Sequence, residues 1–235
     1  MNIFLGDIEI ELIQKNIKNV HLSILPPQGA VRISAPVHLS EETIRLYAIS
    51  KLSWIKSQQR KIRSQVRESK RQFLNKETHY FQGRKYLLRI IKEDKPAKVV
   101  LHKNHIDLHI RPDTKIEQCQ VIINEWYRTE LKKLVPALIH KWEKIMGVEV
   151  MDWGIKQMKT KWGTCNIEAR RIWLNLELAK KPLECLEYII VHEMVHLLER
   201  NHNDRFLFYM DKFMPQWKTL RDKLNRLPVS YKDWV

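Results

Sequence analysis

Residues 191–202 read Val-His-Glu-Met-Val-His-Leu-Leu-Glu-Arg-Asn-His, and the fold turns on whether this is one straight helix or a helix that breaks. On a helix, His192 and His196 stand about 40° past one full turn and point to the same side. His202 does not. Continued straight, the helix would carry it about 80° from His192 and well beyond His196, facing away. The three imidazoles meet only if the chain turns after His196. Arg200-Asn201-His202-Asn203 offers such a turn, because asparagine tolerates the left-handed conformation.

That spacing carries a definite chemistry. Two imidazoles on one helix face, with Glu193 beside the first, form the pattern of a metal-dependent hydrolase. Three neutral ligands leave Zn²⁺ most of its charge and an open fourth position, where water becomes acidic near a pKa of about 7. Glu193 is then placed to take the proton. In a chain with 10 histidines the five-residue pattern can arise by chance; a third histidine at a fixed position makes it specific. The spacing equals that of the metzincin peptidases, but Glu199 stands where they have glycine. Glu199, Asp204 and Asp211 therefore remain alternatives to His202. No glutamate follows residue 199, so a downstream glutamate ligand is excluded.

Outward from this stretch, Pro182 starts the helix and Leu183, Leu186, Ile189 and Ile190 give it a core face. Upstream, Asp113 reads as the cap of a long helix ending near Met146, with Gly147 as its stop and Pro136 as a bend. Ile122, Trp126, Leu131, Leu134, Leu138 and Trp142 are its predicted apolar face. Residues 79–110 read as strands, with turns at Phe81-Gln82-Gly83-Arg84 and Lys103-Asn104-His105. His102, His105 and His109 read as exposed strand histidines, with no neighbouring acid or thiol to complete a ligand set.

The N-terminal part alternates at Ile8–Leu12 and Val31–Ser34, with Pro26-Pro27-Gln28-Gly29 between strands. Ser40-Glu41-Glu42 starts a helix that runs into the basic stretch around Lys56, Arg60, Lys61, Arg63, Arg67, Lys70 and Arg71. No internal repeat is visible. The fold class is α+β: a β-rich domain over residues 1–112 and a helical domain over 113–235.

With 44% hydrophobic and 29% charged residues the chain is an ordinary globular one. Three cysteines, Cys119, Cys165 and Cys185, fit a reducing cytoplasm, and no signal peptide or membrane span is read. The net charge is +15. Residues 1–112 carry 21 Lys/Arg against 10 Asp/Glu, and residues 113–235 carry 21 against 17. A basic N-terminal part suits nucleic acid or another polyanion, or is simply a solvated face. Only six glycines are present and no phosphate loop, which disfavours nucleotide phosphoanhydride hydrolysis.

The runs MKTKWGTC (158–165), RIWLNLEL (171–178) and YIIVHEMVHLLERNHNDRF (188–206) together resemble the YgjP-like metallopeptidase domain, related to SprT-type and other zincin peptidases. The resemblance covers roughly residues 15–225. It implies a zincin fold, with an antiparallel edge strand above the metal to hold an extended substrate. It implies one Zn²⁺ per chain held by His192, His196 and His202, with Glu193 as the base and a peptide or protein as substrate. Trp162, Gly163, Thr164, Trp173 and Tyr209 are candidate substrate contacts, the two tryptophans reading equally as core walls. Lys161 or Tyr209 is a candidate to polarise the carbonyl. Two other readings stay open: a metal-dependent nucleotide pyrophosphatase, and a nucleic-acid-associated protein whose zinc is structural, closed by Cys165.

Overall fold

The computed structural model describes residues 1–25, 28–64, 71–158 and 161–228, and within them the chain forms two compact units, Met1–Ser69 with the C-terminal residues from Pro228, and Lys70–Leu227. The first unit opens with β1 (Asn2–Leu5), β2 (Ile8–Lys15), β3 (His21–Leu25) and β4 (Ala30–Pro36), in sheet order β1-β2-β4-β3. The two hairpin pairs are antiparallel, while the central β2/β4 pair is parallel. Alternation works as predicted: Ile8, Ile10 and Leu12 are buried and Glu9 is exposed. Pro26 and Pro27 lie outside the described residues.

The helix predicted from Ser40 forms as two. In α1 (Glu41–Ser50) the Ser40 hydroxyl accepts from the Thr43 N–H, and Ile44 and Ala48 enter the core. After a break at Lys51, α2 (Leu52–Ser64) buries Ile55, while Gln59 and Arg63 donate to the carbonyls of Gly29 and Gln28. The basic stretch continues into 65–70, which lie outside the described residues.

The second unit begins by repeating the first. Strands β5 (Thr78–Phe81), β6 (Arg84–Lys92), β7 (Lys98–Leu101) and β8 (His105–Ile110) pair in the order β5-β6-β8-β7, again antiparallel, parallel, antiparallel. A helix follows, α3 (Ile116–Met146). The repeat is one of topology, which sequence comparison by eye does not reveal. It also explains why the compact units divide at residues 69 and 70, whereas the sequence reading set the boundary at 112. Tyr86, Leu88, Ile106 and Leu108 pack in one core with Ile123, Tyr127 and Leu131 of α3.

The moved boundary moves the charge. Residues 1–69 hold 10 Lys/Arg against 6 Asp/Glu, and residues 70–227 hold 31 against 20. Most of the basic excess therefore belongs to the unit that carries the histidine motif, not to a separate N-terminal module.

On α3 the buried stripe is Cys119, Ile123, Tyr127, Leu131, Val135, Ile139, Trp142 and Met146. Of the predicted face, Leu131 and Trp142 are buried as expected, whereas Ile122, Trp126, Leu134 and Leu138 are only partly buried and lie one position to the side of the buried stripe. Asp113 is not the cap; the helix begins after Lys115, whose N–H donates to the Gln118 side chain. Gly147, left-handed at φ 66°, closes it as expected.

Three strands follow: β9 (Asp152–Lys156), β10 (Gly163–Asn166) and β11 (Arg171–Asn175), in the order β10-β11-β9. β10 is antiparallel to β11 and forms a sheet edge. A short 3₁₀ helix (Leu176–Lys180) leads to α4 (Leu183–Val195), α5 (Asp204–Phe213) and α6 (Trp217–Arg226). Pro182 occupies the cap position of α4, and Leu183 is exposed rather than core, whereas Leu186, Ile189 and Ile190 are buried as expected. Among the described residues no helix is long and apolar enough to cross a membrane.

Candidate metal centre

α4 is deeply buried, with Ile190, Val191, Met194 and Val195 at 0% exposure. Its burial fixes the direction of the two histidines near its end. The helix stops at Val195 and His196 caps it. The Leu197 and Leu198 N–H groups donate to the Met194 and Val195 carbonyls, tightening the last turn. Glu199 Oε1 then accepts from the Asn201 N–H, and the Asn203 N–H donates to the Asn201 carbonyl. Asn203 caps α5 through its side chain, which accepts from the Phe206 N–H. The chain thus turns between His196 and His202, as the convergence of three imidazoles demanded.

The means differ from the expectation. Among the described residues the non-glycine positive φ values fall at Phe73, Lys76, Gln82 and Arg170, so no asparagine of this turn is left-handed. A tightened helix end and two side-chain caps replace the glycine.

The result brings His192, His196 and His202 together, with one ligand atom from each within 4.8 Å of the others. Nε2 of His192 and Nε2 of His202 lie 3.1 Å apart. Donors sharing a zinc ion at 2.0–2.1 Å are separated by about 3.0–3.4 Å, so this spacing fits a common cation. Nδ1 of His196 is 3.1 Å from the Glu199 carbonyl; donating there leaves Nε2 free as a ligand. Nδ1 of His192 is buried with no hydrogen-bond partner among the described residues. Burial, with His196 and His202 nearby, lowers the His192 pKa from 6.5 to about 3, and burial lowers that of His196 also. Both shifts favour the neutral form that a ligand must have. The donor set fits a zinc-type ion.

Phe206 was not singled out in the sequence. Its ring, 1% exposed, lies 5.0, 4.8 and 4.6 Å from the ring centres of His192, His196 and His202. It forms an apolar floor beneath all three. Four positions beyond His202, it reads in sequence as a plain core aromatic.

Glu193 is 5% exposed, and burial raises its pKa from 4.5 to about 8, against an opposing effect of Lys161. It packs against the backbone of Gly163 at the start of β10. A cleft of about 1000 Å³ runs past these groups, lined by Lys161, Trp162, Gly163, Thr164 and Cys165 as well as by the three histidines and Glu193. Trp173 and Tyr209 are not part of that lining. Trp173 pairs with Thr164 on the sheet face opposite Ile172 and Leu174, its ring against Gly154. Tyr209 stacks on Phe213 and accepts from Arg205.

Two of the three alternative ligands are engaged elsewhere. Glu199 caps the turn, and Asp211 accepts from the Trp217 indole. Cys165 lies in the cleft, but its thiol does not belong to the cluster, and burial with Glu193 nearby raises its pKa to about 11. Asn175, inside the quoted strand, was also overlooked. Its amide donates to the carbonyls of Met158 and Lys161 and its oxygen accepts from the N–H groups of Met158 and Glu177, holding the segment that leads into β10.

A sequence model of the family described as YgjP-like, metallopeptidase domain, matches residues 18–227. No curated protein matches significantly. Similar solved structures include the metallopeptidase zymogen abylysin of Pyrococcus abyssi, 22% identical over 39% of this chain and 91% of that one, with a TM-score of 0.37. Jannalysin, a metallopeptidase zymogen of Methanocaldococcus jannaschii, is 21% identical over 38% of this chain and 91% of its own, with a TM-score of 0.34.

Proposed function

The chain belongs to the YgjP-like metallopeptidase domain family, and on that premise we propose that it is a zinc-dependent peptidase of zincin type. His192, His196 and His202 hold one ion, and Glu193 is the general base. The observation that carries this reading is the convergence of three imidazoles beside a buried glutamate at the mouth of a cleft edged by β10.

When bound, zinc supplies the Lewis acidity that polarises a carbonyl and makes water nucleophilic near neutral pH. Glu193 accepts the proton of the attacking water and delivers it to the nitrogen of the leaving amine. The raised affinity of this carboxylate for protons suits the second half of that task, and a nearby cation favours its ionised form for the first. The outer edge of β10 offers backbone groups to an extended peptide, laying it across the histidines. Lys161 and Thr164 border the same cleft and are candidates to hold the substrate carbonyls. The three free cysteines suit a cytoplasmic setting.

Nucleotide hydrolysis is the weaker reading, because the cleft mixes Glu168 and Glu199 with its cations and has no glycine-rich cradle. A structural zinc is weaker still, because Cys165 stands outside the histidine cluster. The test is a Glu193→Gln variant. It should keep the zinc of the wild type and lose turnover of unfolded casein, while neither protein consumes nucleoside triphosphates. Full proteolytic activity in that variant would remove Glu193 from the mechanism.

A further inference from the structure

A second group of metal-ligating side chains lies on the β5–β8 sheet. On β8, Ile106, Leu108 and Ile110 enter the core at 0–3% exposure, so His105, Asp107 and His109 share the opposite face. Register places Arg89 of β6 beside Asp107 and Val100 of β7 across from it. The turn between β7 and β8 closes with the His102 N–H on the His105 carbonyl at 2.9 Å, which folds His102 back over the same carboxylate.

The geometry is that of converging ligands. Nε2 of His102 lies 3.1 Å from one oxygen of Asp107, and Nε2 of His105 lies 3.5 Å from the other. The two imidazoles stack in parallel, 4.4 Å apart at 11°. One ligand atom from each residue lies within 4.8 Å of the rest. Nitrogen and oxygen donors on a zinc-type ion, bonded at 2.0–2.2 Å, stand about 3.0–3.5 Å apart. The distances to Asp107 already fall in that range, and rotation of the two stacked rings about their side-chain bonds would bring both Nε2 lone pairs onto one ion.

An independent feature points the same way. Nε2 of His105 is buried and makes no hydrogen bond among the described residues, its 3.5 Å approach to the Asp107 carboxylate being an ion-pair contact and not a hydrogen bond. Such an atom is costly to leave unsatisfied. Asp107 itself is only 3% exposed, so its carboxylate is already desolvated and oriented.

We propose that His102, His105 and Asp107 form a second binding site for a borderline divalent ion of the zinc, nickel and copper type. Imidazole with a single carboxylate suits these ions rather than magnesium or calcium. Arg89 acts in two directions. Its guanidinium donates to both Asp107 oxygens at 2.6 and 2.5 Å, which keeps the carboxylate ionised and aimed. Each oxygen retains a further lone pair for an ion, but the guanidinium charge repels the cation. The site is therefore weaker than the three-histidine centre and fills after it. An ion there links the β7–β8 turn to the middle of β8, a staple for the sheet rather than a reaction centre. This assignment is independent of the peptidase reading.

Equilibrium dialysis of the full chain against Zn²⁺ tests it. The wild type should bind a tight ion and a weaker one. His102→Ala with His105→Ala should lose the weaker ion alone, and His196→Ala the tighter ion alone. His102→Gln, at an exposed turn residue, serves as a second variant that leaves the strand untouched, and it too should lose the weaker ion. A wild-type chain that binds a single ion overturns the proposal, as does a weaker ion retained in both variants. Failure of His196→Ala to change the tighter ion would instead count against the peptidase centre and leave this site standing.

Discussion

A β-carbon placed on Gly163 would stand 2.6 Å from Oε1 of Glu193. The first residue of the edge strand and the buried carboxylate are in such close approach that only glycine leaves room. The strand that would hold the substrate and the group that would move the proton are therefore set by one contact.

Gly163→Ala follows as a sharp test of that contact. The added methyl must push the Glu193 side chain away, because it would stand 2.6, 2.7 and 2.9 Å from Oε1, Cγ and Cδ of that residue. A shift of about 1 Å at a reacting group costs on the order of a hundredfold in rate. We expect kcat for peptide hydrolysis to fall by about that much, with bound zinc unchanged by metal analysis. Equal activity in the two proteins would mean that Glu193 relaxes freely, which its burial argues against.

Asn175 tests the same strand from the other side. It is 4% exposed and makes four hydrogen bonds to the segment entering β10 and to the 3₁₀ helix. Asn175→Ala leaves buried backbone groups unsatisfied, at about 1–3 kcal/mol for each that water cannot reach. Urea unfolding followed by tryptophan fluorescence should show a loss of about 2–4 kcal/mol. Asn175→Asp, which keeps the acceptor and loses the donors, should fall between.

These two residues show what was legible. The histidine helix, its break, the Gly147 stop and the Phe81–Arg84 turn all follow from short-range rules, and the chain obeys them. The face of α3 was misjudged because apolar residues occur on two adjacent stripes, and only packing selects Ile123 and Tyr127 over Ile122 and Trp126. The unit boundary was misplaced because the repeated sheet is recognised by its parallel central pair, β6 with β8, which no local pattern encodes. Asp107 needed no such long-range information: strand alternation alone puts it on the same face as His105, two residues away, and only His102 depends on the turn that folds it back over the carboxylate.

Acid should weaken the second unit in a defined way. Burial, then Arg71 and Lys180, lowers the His79 pKa from 6.5 to about 3. The folded chain holds this ring neutral while the unfolded chain protonates it below 6.5. Its contribution is therefore complete above pH 6.5 and is lost as the pH falls from there towards 3. Glu193 runs oppositely: raised from 4.5 to about 8, it favours the fold below 4.5 and loses that contribution as the pH rises through 8. In metal-free protein, His79→Leu should flatten the dependence of unfolding free energy on pH between 6.5 and 3 by up to about 1.4 kcal/mol per pH unit. An unchanged slope in urea titrations at several pH values would remove His79 as a source of acid sensitivity.

His202 and Glu199 compete for the third ligand position by sequence, and their surroundings separate them. His202 brings Nε2 to 3.1 Å from that of His192, whereas Glu199 spends its carboxylate on the Asn201 N–H and its carbonyl on His196. His202→Ala should therefore abolish tight zinc binding together with activity. Glu199→Gln keeps an acceptor for the Asn201 N–H and leaves the carbonyl in place, so the turn survives. Its zinc affinity should fall by no more than the 10–100-fold, roughly, that outer partners of a ligand contribute. Competition with a chromophoric chelator measures both. If the ranking reversed, Glu199 would be the ligand, His202 a bystander, and the turn after His196 would serve to present a carboxylate.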